Sequence, residues 1–592
     1  MKRVFGFDDF RPNQEGIVLE ILQGRDVFAA MPTGGGKSLC YQLPALLLPG
    51  LTVVISPLLA LMKDQVDAAK ESGIAAALLN SAISTAEAAA VYRSLESGSV
   101  DLLYISPERF AFSHFAEKLK TYQISLFAVD EAHCLSEWGH DFRPDYLGLS
   151  GIKSQFPGVP IAAFTATATE KVQRDIIKAL KLQDPHEVRA SFNREELNYR
   201  IIPKEDTTGQ VLRCVKEHDK QAGIVYHTSR ASVEKTALLL QKYGFRALPY
   251  HAGLDSETRK VHQELFNKDE IEVIVATIAF GMGIDKSNVR YIIHADLPRS
   301  VEGYYQETGR AGRDGLPAEC LLLFSRGDIM KIKYHIDRMD NAGERGRAER
   351  NLEQIITLAS VHICRRKQLL DYFGEDYGDT CGNCDVCRGE AESEDATEDA
   401  QKILSAVVRT GERFGVAHVI DVVRGADTEK IRNFSHQRLP TWGVGKEKSK
   451  ISWRRLADEL LAQKCLRRDS DRYNALVLTP VGKDVLYGKK QFTAMRYGDP
   501  SRADLPIPEL SANQHGSAAL FQSLRATRKK IAKKRGVPPY VVFSDKTLRE
   551  MAAVLPDSLP AMLRITGVGE RKLDQYGETF LNIILEFVEK NG

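Results

Sequence analysis

The sequence predicts an α/β protein with two lobes, each built on a doubly wound parallel β-sheet with helices on both faces. Three observations indicate this fold class. Short apolar runs rich in β-forming residues alternate with helical stretches over residues 1–200, and the same alternation restarts over residues 201–340. A Gly-rich segment at residues 31–38 follows an apolar run, as a strand–loop–helix unit would. In such sheets, ligands bind at the carboxyl ends of the strands.

Residues 31–38, Met-Pro-Thr-Gly-Gly-Gly-Lys-Ser, predict a phosphate-binding loop. Glycines let the backbone turn its N–H groups toward phosphate oxygens at the start of a helix. Lys37 would reach the β- and γ-phosphates, and Ser38 would bind magnesium. Met31 stands where the general pattern has Gly, and a Gly-rich turn without a ligand is the alternative. The candidate nucleotide contacts are Thr33, Gly34, Gly35, Gly36, Lys37 and Ser38.

Length and composition exclude several classes of protein. The 592 residues are too many for one core and suggest about four domains. No apolar run approaches the roughly 18 residues that cross a bilayer, and the N-terminus lacks the apolar core of a secretory signal, so a cytosolic location is expected. The net charge of +2 says nothing about partners, so a nucleic-acid surface must come from local clusters of basic residues.

Polar residues follow the predicted strands of the first lobe. Asp130 comes directly after an apolar run, where a carboxylate near a phosphate loop suits magnesium, and Glu131 could accept a proton from an attacking water. A solvated loop is the alternative. The hydroxyl-rich residues 165–169 end the last strand and predict a relay between the lobes. The predicted strands are Thr52–Ser56, Leu102–Ser106, Leu126–Val129 and Ile161–Thr165.

Two further segments of the first lobe predict ligand contacts. Ahead of the phosphate loop, Phe7 and Arg11 offer a ring and a guanidinium plane, and the Gln14 amide can pair with one edge of adenine; a capped surface helix is the alternative. After the acidic strand end, residues 136–146 concentrate aromatic and basic side chains, which suits base stacking on a single strand. The alternative is that these rings pack back onto the lobe. The side chains are Trp138, His140, Phe142, Arg143 and Tyr146.

The second lobe lacks a phosphate loop of its own, so ATP is expected in the cleft between the lobes. Arg310 and Arg313 are three residues apart, on one face if helical, and an arginine brought across a cleft can stabilise the transferring phosphoryl group. A surface helix is the alternative. Residues 276–285 are a second Gly-rich segment at the end of a predicted strand. The predicted strands are Gly223–Thr228, Ala247–His251, Glu272–Thr277, Ile292–Ala295 and Leu321–Phe324.

Four of the nine cysteines have the spacing of a structural metal site. Cys364, Cys381, Cys384 and Cys387 supply four soft ligands, enough for a closed tetrahedral zinc site with no catalytic position. Cys364 lies in a helical pattern over Leu352–Leu370, so zinc would pin that helix to a loop. His362 is a rival ligand that more simply faces solvent or core.

The remaining chain predicts a winged helix and a small helical domain. The acidic residues 388–399 indicate a linker or a helix start, Ile451–Leu461 an amphipathic helix, and residues 469–474 a hairpin tip that carries Tyr473. Residues 499–516 indicate a tether, followed by a basic stretch at 525–535 and by Tyr540, which could stack a base; a solvated basic face is the alternative. The candidate phosphate contacts are Arg424, Lys430, Arg432, Lys446 and Lys448.

Taken in order, these motifs resemble the RecQ family of superfamily 2 helicases, whose pattern accepts Met31. The carrying segments are FRPNQ (10–14), MPTGGGKS (31–38), ISPL (55–58), VDEAH (129–133), SEWGHDFRPDY (136–146), FTATAT (164–169), ATIAFGMGID (276–285) and YYQETGRAGRDG (304–315). The resemblance implies two RecA-like lobes (1–200 and 201–340), a zinc-binding domain (341–390), a winged helix (391–498), a linker (499–516) and an HRDC-like domain (517–592).

The same resemblance implies ATP-driven 3′-to-5′ unwinding of DNA in repair and recombination. Phe7 and Arg11 would sandwich adenine, and Tyr473 would wedge against the first base pair, with a passive tip as the alternative. The implied cofactors are ATP, Mg²⁺ and Zn²⁺, and the partners are single-stranded and duplex DNA, with single-stranded-DNA-binding protein also considered. A nucleoid-associated monomer is expected. An ATP-dependent RNA remodeller and a non-enzymatic nucleic-acid binder are the rival functions.

Overall fold

The computed structural model describes residues 1–57, 59–80, 83–136, 143–167, 169–281, 286–469, 475–497 and 515–591. Within those residues, every helix is either too short or too polar to cross a bilayer. The chain forms two α/β lobes, a region that contains the four clustered cysteines and packs against both lobes (residues 342–388, the zinc-type region), a winged-helix domain and a C-terminal helical domain.

The first lobe contains a seven-stranded parallel sheet in the order β3-β4-β2-β5-β6-β1-β7. Separate apolar clusters cover its two faces, which is why its strands are nearly continuous apolar runs. The strands are β1 Val27–Ala30, β2 Leu51–Ile55, β3 Ala76–Leu79, β4 Leu102–Ile105, β5 Ile124–Val129, β6 Ile161–Thr165 and β7 His186–Arg189. The helices are Lys2–Phe5, Gln14–Leu22, Lys37–Ala45, Leu59–Glu71, Thr85–Glu96, Pro107–Ala111, Ser113–Leu119, Ile152–Gln155 and Glu170–Leu180, with 3₁₀ turns at Ala132–Leu135 and Pro144–Gly151.

The second lobe contains a six-stranded parallel sheet in the order β10-β11-β9-β12-β13-β8. β8 pairs with β13, so residues 197–200 belong to the second sheet although the predicted lobe boundary falls at residue 200. The strands are β8 Leu197–Pro203, β9 Ala222–Tyr226, β10 Ala247–Tyr250, β11 Val273–Ala276, β12 Val289–His294 and β13 Ala318–Phe324. The helices are Thr207–Glu217, Arg230–Lys242, Ser256–Asn267, Val301–Thr308 and Arg326–Ile336.

The zinc-type region shares its core with both lobes. Leu352 and Leu369 pack in the apolar cluster of the second lobe, and the Phe373 ring stacks on Phe192 at 4.6 Å. The pattern over Leu352–Leu370 predicts one continuous helix, and this prediction is wrong, because the backbone is extended at Val361 and non-helical at Cys364. Two helices form instead, Ala342–Ser360 and Arg365–Tyr372, and Cys364 is the N-cap of the second.

The winged-helix domain is closed by a small antiparallel sheet. Part of the acidic segment that predicted a linker or helix start forms β14 (Ala391–Asp395), which pairs with β17 (Thr493–Tyr497). The linker prediction is wrong for Ala391–Asp395, because the chain leaving the domain supplies a strand partner. The helix start is confirmed within the same segment, where the helix Thr397–Arg409 begins. A hairpin joins β15 (Leu466–Asp469) and β16 (Ala475–Leu478), and its tip with Tyr473 lies outside the described residues. The helices are Thr397–Arg409, Val416–Arg424, Glu429–Asn433, Lys450–Ala462 and Pro480–Leu486, with a 3₁₀ turn at His436–Arg438.

The C-terminal domain is all-helical around its own apolar cluster. Most of the predicted tether lies outside the described residues, and the first helix begins at His515. That helix contains the whole basic stretch 525–535. The helices are His515–Arg535, Pro539–Val542, Asp545–Val554, Leu559–Met562, Glu570–Lys572 and Glu578–Asn591, with a π-helical turn at Leu573–Gly577.

Candidate nucleotide cleft and zinc site

A cavity of about 430 Å³ lies between the two lobes, a volume typical of small-ligand sites. The predicted residues of the phosphate loop, the acidic strand end and the arginine segment share this cavity. The first lobe contributes Phe7, Asp9, Arg11, Gln14, Thr33, Gly34, Gly36, Lys37, Ser38, Leu39, Leu61, Gln65, Ala68, Ser72, Asp130 and Glu131. The second lobe contributes Ser287, Gln306, Arg310 and Arg313, and the C-terminal domain contributes Tyr540, Val541, Ser544 and Lys572.

The phosphate loop turns from β1 into the helix Lys37–Ala45. Gly34 and Gly36 adopt left-handed φ angles of 77° and 82°, which residues with a Cβ rarely adopt. A Cβ on Gly36 would also overlap the Gln14 amide nitrogen. The loop therefore brings the N-terminus of a nine-residue helix to the cavity, where backbone N–H groups and the helix dipole favour an anion.

The predicted adenine-binding residues lie on the same side of the cavity and also brace the loop. Gln14 Nε2 donates to the carbonyl oxygens of Gly35 at 3.2 Å and Gly36 at 3.1 Å, and the Gln14 Oε1 accepts from the Arg11 backbone N–H at 2.9 Å. The Arg11 guanidinium donates to the Gly34 carbonyl. Phe7 lies beside them and is 36% exposed. The bracing was not predicted, because it depends on backbone carbonyls of a turn rather than on residue types.

The acidic end of β5 connects to the end of β6 through polar contacts. Glu131 has a left-handed φ of 48°, and its carboxylate lies 3.3 Å from His133 Nδ1. That nitrogen hydrogen-bonds with Thr165 Oγ1 at 3.1 Å, and the Thr165 hydroxyl donates to the Thr167 carbonyl at 3.0 Å. Thr165 of the hydroxyl-rich segment is thus connected through the His133 imidazole to Glu131, the predicted proton acceptor.

Arg310 and Arg313 face the phosphate loop from a turn rather than from a helix, because the helix Val301–Thr308 ends before them. The helical arrangement considered from the sequence does not form. Arg310 is 3% exposed. The two lobes touch here: a Cβ built on Gly309 would overlap Thr33 Oγ1, and a Cβ on Gly34 would lie 3.5 Å from Arg313 Cα.

Positive charge is concentrated around this cavity. Burial and the neighbouring Arg194 charge lower the pKa of Arg11. On the opposite wall, burial lowers the pKa of Lys572 to about 8, and its ammonium donates to the Val541 carbonyl at 2.8 Å. Burial that lowers the pKa of a cation makes its charged form costly, and a bound polyanion would offset that cost.

The C-terminal domain reaches the cavity through specific contacts with the first lobe. The Glu71 carboxylate accepts from Arg535 at 2.8 Å and from the Tyr576 hydroxyl at 2.9 Å, and Gly567 donates its N–H to the Gly6 carbonyl at 2.9 Å. Tyr540, predicted from the sequence to stack a DNA base, lies on the cavity wall in this arrangement. This packing could not be predicted from the sequence, since no motif links residues that are about 500 positions apart.

The other predicted nucleic-acid residues are placed only in part. Trp138, His140 and Phe142 lie outside the described residues, as does Tyr473. Arg143 donates from Nη1 to the Pro57 carbonyl at 3.0 Å, which fixes one flank of the aromatic segment to the end of β2. In the winged helix, Lys448 is ion-paired with Asp399.

The four predicted cysteines form one cluster. Their Sγ atoms all lie within 4.8 Å of one another, and His362 is not among the clustered ligand atoms of the described residues. Cys381 Sγ lies 3.9 Å from Cys387 Sγ, close to the roughly 3.8 Å expected between two sulfurs of a tetrahedral zinc–thiolate site. Backbone N–H groups of Lys367, Cys381, Asn383 and Cys387 point at the sulfurs at 3.3–3.5 Å, as they do around thiolates. The donor set fits zinc.

Five protein-family models match successive parts of the chain. They are DEAD/DEAH box helicase over residues 11–176, Helicase conserved C-terminal domain over 204–315, RecQ zinc-binding over 326–388, RQC domain over 390–503 and HRDC domain over 517–584. Together with the two-lobed fold and its phosphate loop, these matches define an ATP-dependent helicase.

Curated relatives identify the family. Proteins named ATP-dependent DNA helicase RecQ are 43% identical in Pasteurella multocida, over 98% of this chain and 92% of the relative, and 42% identical in Haemophilus influenzae, over 99% and 95%. The namesake in Bacillus subtilis is 39% identical over 98% and 97%. The chain belongs to the RecQ helicase family, which confirms the resemblance found in its motifs.

Replacing Cys384 with serine should remove the metal from this site. Without the fourth thiolate a closed tetrahedral site loses most of its affinity, so zinc content should fall from about one per chain toward zero, and the melting temperature should fall with it. Metal analysis by mass spectrometry measures this directly. Cys465→Ser, at a buried thiol outside the cluster, is the control and should keep its zinc. Full zinc content in Cys384→Ser would contradict the four-thiolate site.

Proposed function

We propose that this protein moves 3′ to 5′ along single-stranded DNA and unwinds duplex or branched DNA in repair and recombination, driven by ATP hydrolysis in the interlobe cleft. The observation that carries the proposal is the cleft itself, in which Lys37 of one lobe and Arg310 and Arg313 of the other line a single cavity. A ligand that contacts both sides links its own cleavage to the relative position of the lobes.

The chemistry assigned to the cleft is transfer of the γ-phosphoryl group to water. Lys37 contacts the β- and γ-phosphates, Glu131 accepts a proton from the attacking water, and Arg310 and Arg313 stabilise charge on the transferring group. Ser38 and Asp130 both offer oxygen ligands to the cavity, which suits Mg²⁺. When bound, Mg²⁺ supplies neutralising charge on the phosphate oxygens.

We assign the coupling between ATP hydrolysis and DNA binding to the aromatic segment at residues 136–146, which follows the acidic end of β5. Its two flanks are anchored, one by the Ser136 hydroxyl donating to Asp175 at 2.7 Å and the other by Arg143. Ser136 of the first flank lies three residues after His133, which contacts Glu131 and Thr165. Binding of a DNA strand to Trp138, His140, Phe142 and Arg143 can therefore change the geometry at Glu131, the proposed general base. We also propose that the protein acts as a monomer. Its proposed partners are single-stranded DNA, duplex DNA and single-stranded-DNA-binding protein.

Unwinding assays on tailed duplexes test the direction. A duplex with a 3′ single-stranded tail should be unwound when ATP is present, and one with a 5′ tail should not, because translocation on the tail toward its 5′ end meets the duplex only in the first. Single-stranded DNA should stimulate ATP hydrolysis more than single-stranded RNA does. Equal stimulation by RNA would favour the RNA-remodelling alternative, and an absence of phosphate release would favour a binding protein.

Lys37→Ala should abolish ATP hydrolysis and leave DNA binding intact. Loss of one preorganised charge from the transferring phosphoryl group lowers kcat by about 10²-fold or more. Phosphate release and fluorescence anisotropy with labelled single-stranded DNA measure the two properties. Lys178→Ala, at an exposed lysine of the same lobe, is the matched control and should behave as the unsubstituted protein. Hydrolysis retained in Lys37→Ala would contradict the role assigned to the loop.

Trp138→Ala should uncouple hydrolysis from unwinding. The indole is assigned to a DNA base, and its loss removes the contact through which strand occupancy reaches the cleft. The ratio of base pairs opened to ATP molecules hydrolysed should fall, while nucleotide binding is kept. Phe112→Ala, at another ring of the first lobe that is 68% exposed, serves as the control. Normal unwinding by Trp138→Ala would refute the coupling assignment.

A further inference from the structure

Arg194 lies in the short connection between the two lobes and bonds to both of them. β7 of the first sheet ends at Arg189, and β8 of the second sheet begins at Leu197. The Arg194 side chain is 7% exposed. Neither a motif nor a strand end marks this residue in the sequence, and its side chain does not line the cavity.

The Arg194 guanidinium bridges the phosphate loop and the arginine segment. Its Nη1 donates to the Thr33 carbonyl at 2.6 Å and to the Gly309 carbonyl at 3.2 Å. Its Nη2 donates to the Ala311 carbonyl at 2.8 Å. We propose that Arg194 is a positioning residue for ATP hydrolysis, which fixes the separation between the phosphate loop and the segment Gly309–Arg313 and so aims Arg310 and Arg313 at the γ-phosphate.

The geometry of a guanidinium suits this task. Its donors lie in one rigid plane, so hydrogen bonds to carbonyls of two lobes set both distance and angle between them. The third side of the plane is held as well, because Nε donates to the Glu196 carboxylate at 2.5 Å. A lysine offers a point charge in place of a plane and would hold one lobe without orienting the other.

The bridge spans the place where the lobes touch. Gly309 meets Thr33 so closely that a Cβ would overlap its hydroxyl, and both residues are bonded to the same Arg194 nitrogen. Separation of the lobes at this point must break the bonds to Thr33 or the bonds to Gly309 and Ala311. Arg194 therefore stabilises the arrangement in which the arginines reach the phosphate loop.

The zinc-type region hydrogen-bonds to the backbone of the connection that carries Arg194. Arg366, in the first turn of the helix Arg365–Tyr372, donates from Nη2 to the carbonyls of Arg194 at 3.1 Å, Glu195 at 3.2 Å and Leu197 at 2.9 Å. Its side chain is 4% exposed. These three bonds fix the backbone from which the Arg194 side chain extends, so the position of the bridge is set by a part of the chain that carries no catalytic group.

Steady-state ATP hydrolysis in the presence of single-stranded DNA tests the proposal with Arg194→Gln in the full chain. A misplacement of catalytic groups by about 1 Å costs up to 10²-fold in rate, so kcat should fall by about tenfold to a hundredfold. KM for ATP should change by less than about threefold, because the groups that bind the ground state stay in place. Arg194→Lys should retain an intermediate kcat. Arg200, six residues after Arg194, forms an ion pair with Glu319. Arg200→Gln breaks that ion pair, serves as the matched control and should keep its kcat.

A double variant separates positioning from general damage to the fold. If Arg194 acts through Arg310 and Arg313, then Arg194→Gln should lower kcat by a smaller factor in Arg313→Ala than in the unsubstituted protein, because only the aim of Arg310 is left to lose. Multiplicative losses would overturn the proposal, as would a kcat for Arg194→Gln within about twofold of the unsubstituted protein or a loss confined to KM. If Arg194→Gln does not fold, as judged by melting temperature and zinc content, Arg194→Lys and Arg366→Gln are judged by the same criteria.

The inference rests on the proposed roles of Arg310 and Arg313, and the experiment distinguishes the two. Unchanged hydrolysis in Arg313→Ala would refute those roles. A large loss in Arg313→Ala with none in Arg194→Gln would refute only the positioning role of Arg194.

Discussion

The close approach of the phosphate loop to the segment Gly309–Arg313 is the constraint on which the site depends. It requires glycine where a Cβ would overlap the opposite lobe, as at Gly309. It also places Lys37, Arg310 and Arg313 in one cavity, where a bound polyanion would offset the repulsion among the three cations. On the proposed function, a triphosphate that contacts both lobes binds most strongly when the lobes are together, and this dependence lets cleavage of the triphosphate change their separation.

Much of the fold and half of the site could be predicted from residue types. Parallel strands buried on both faces are apolar throughout, so runs such as Leu102–Ser106 and Ile161–Thr165 identified β4 and β6 within a residue. The phosphate loop and the cysteine cluster were recognisable because glycines, a lysine or thiols at fixed spacing have few other uses. The predicted helix over Leu352–Leu370 is interrupted in the structure. Helical periodicity in the sequence cannot show that the helix must break at Cys364 to present its sulfur.

The rest could not be predicted because it depends on tertiary contacts between residues far apart in the chain. The sequence of β14 is typical of a charged linker. It forms a strand because it pairs with β17, which lies about a hundred residues later in the chain. Glu71 meets Arg535 and Tyr576 through the docking of a separate domain. Arg194 and Gln14 bond to backbone carbonyls, and a carbonyl belongs to every residue, so no sequence pattern indicates which ones will be adjacent.

The pairing of β14 with β17 has a consequence for how the winged-helix domain relates to its neighbours. Ala391 is opposite Tyr497, so the chain begins and finishes this domain at adjacent points of one two-stranded sheet. A domain attached in this way resembles an insertion: its interior can lengthen, shorten or be exchanged between homologues while the two attachment points keep their spacing. Changes inside this domain can therefore accumulate with little change in the two lobes, provided that the contact between its helix Lys450–Ala462 and the helix Ala342–Ser360 is kept.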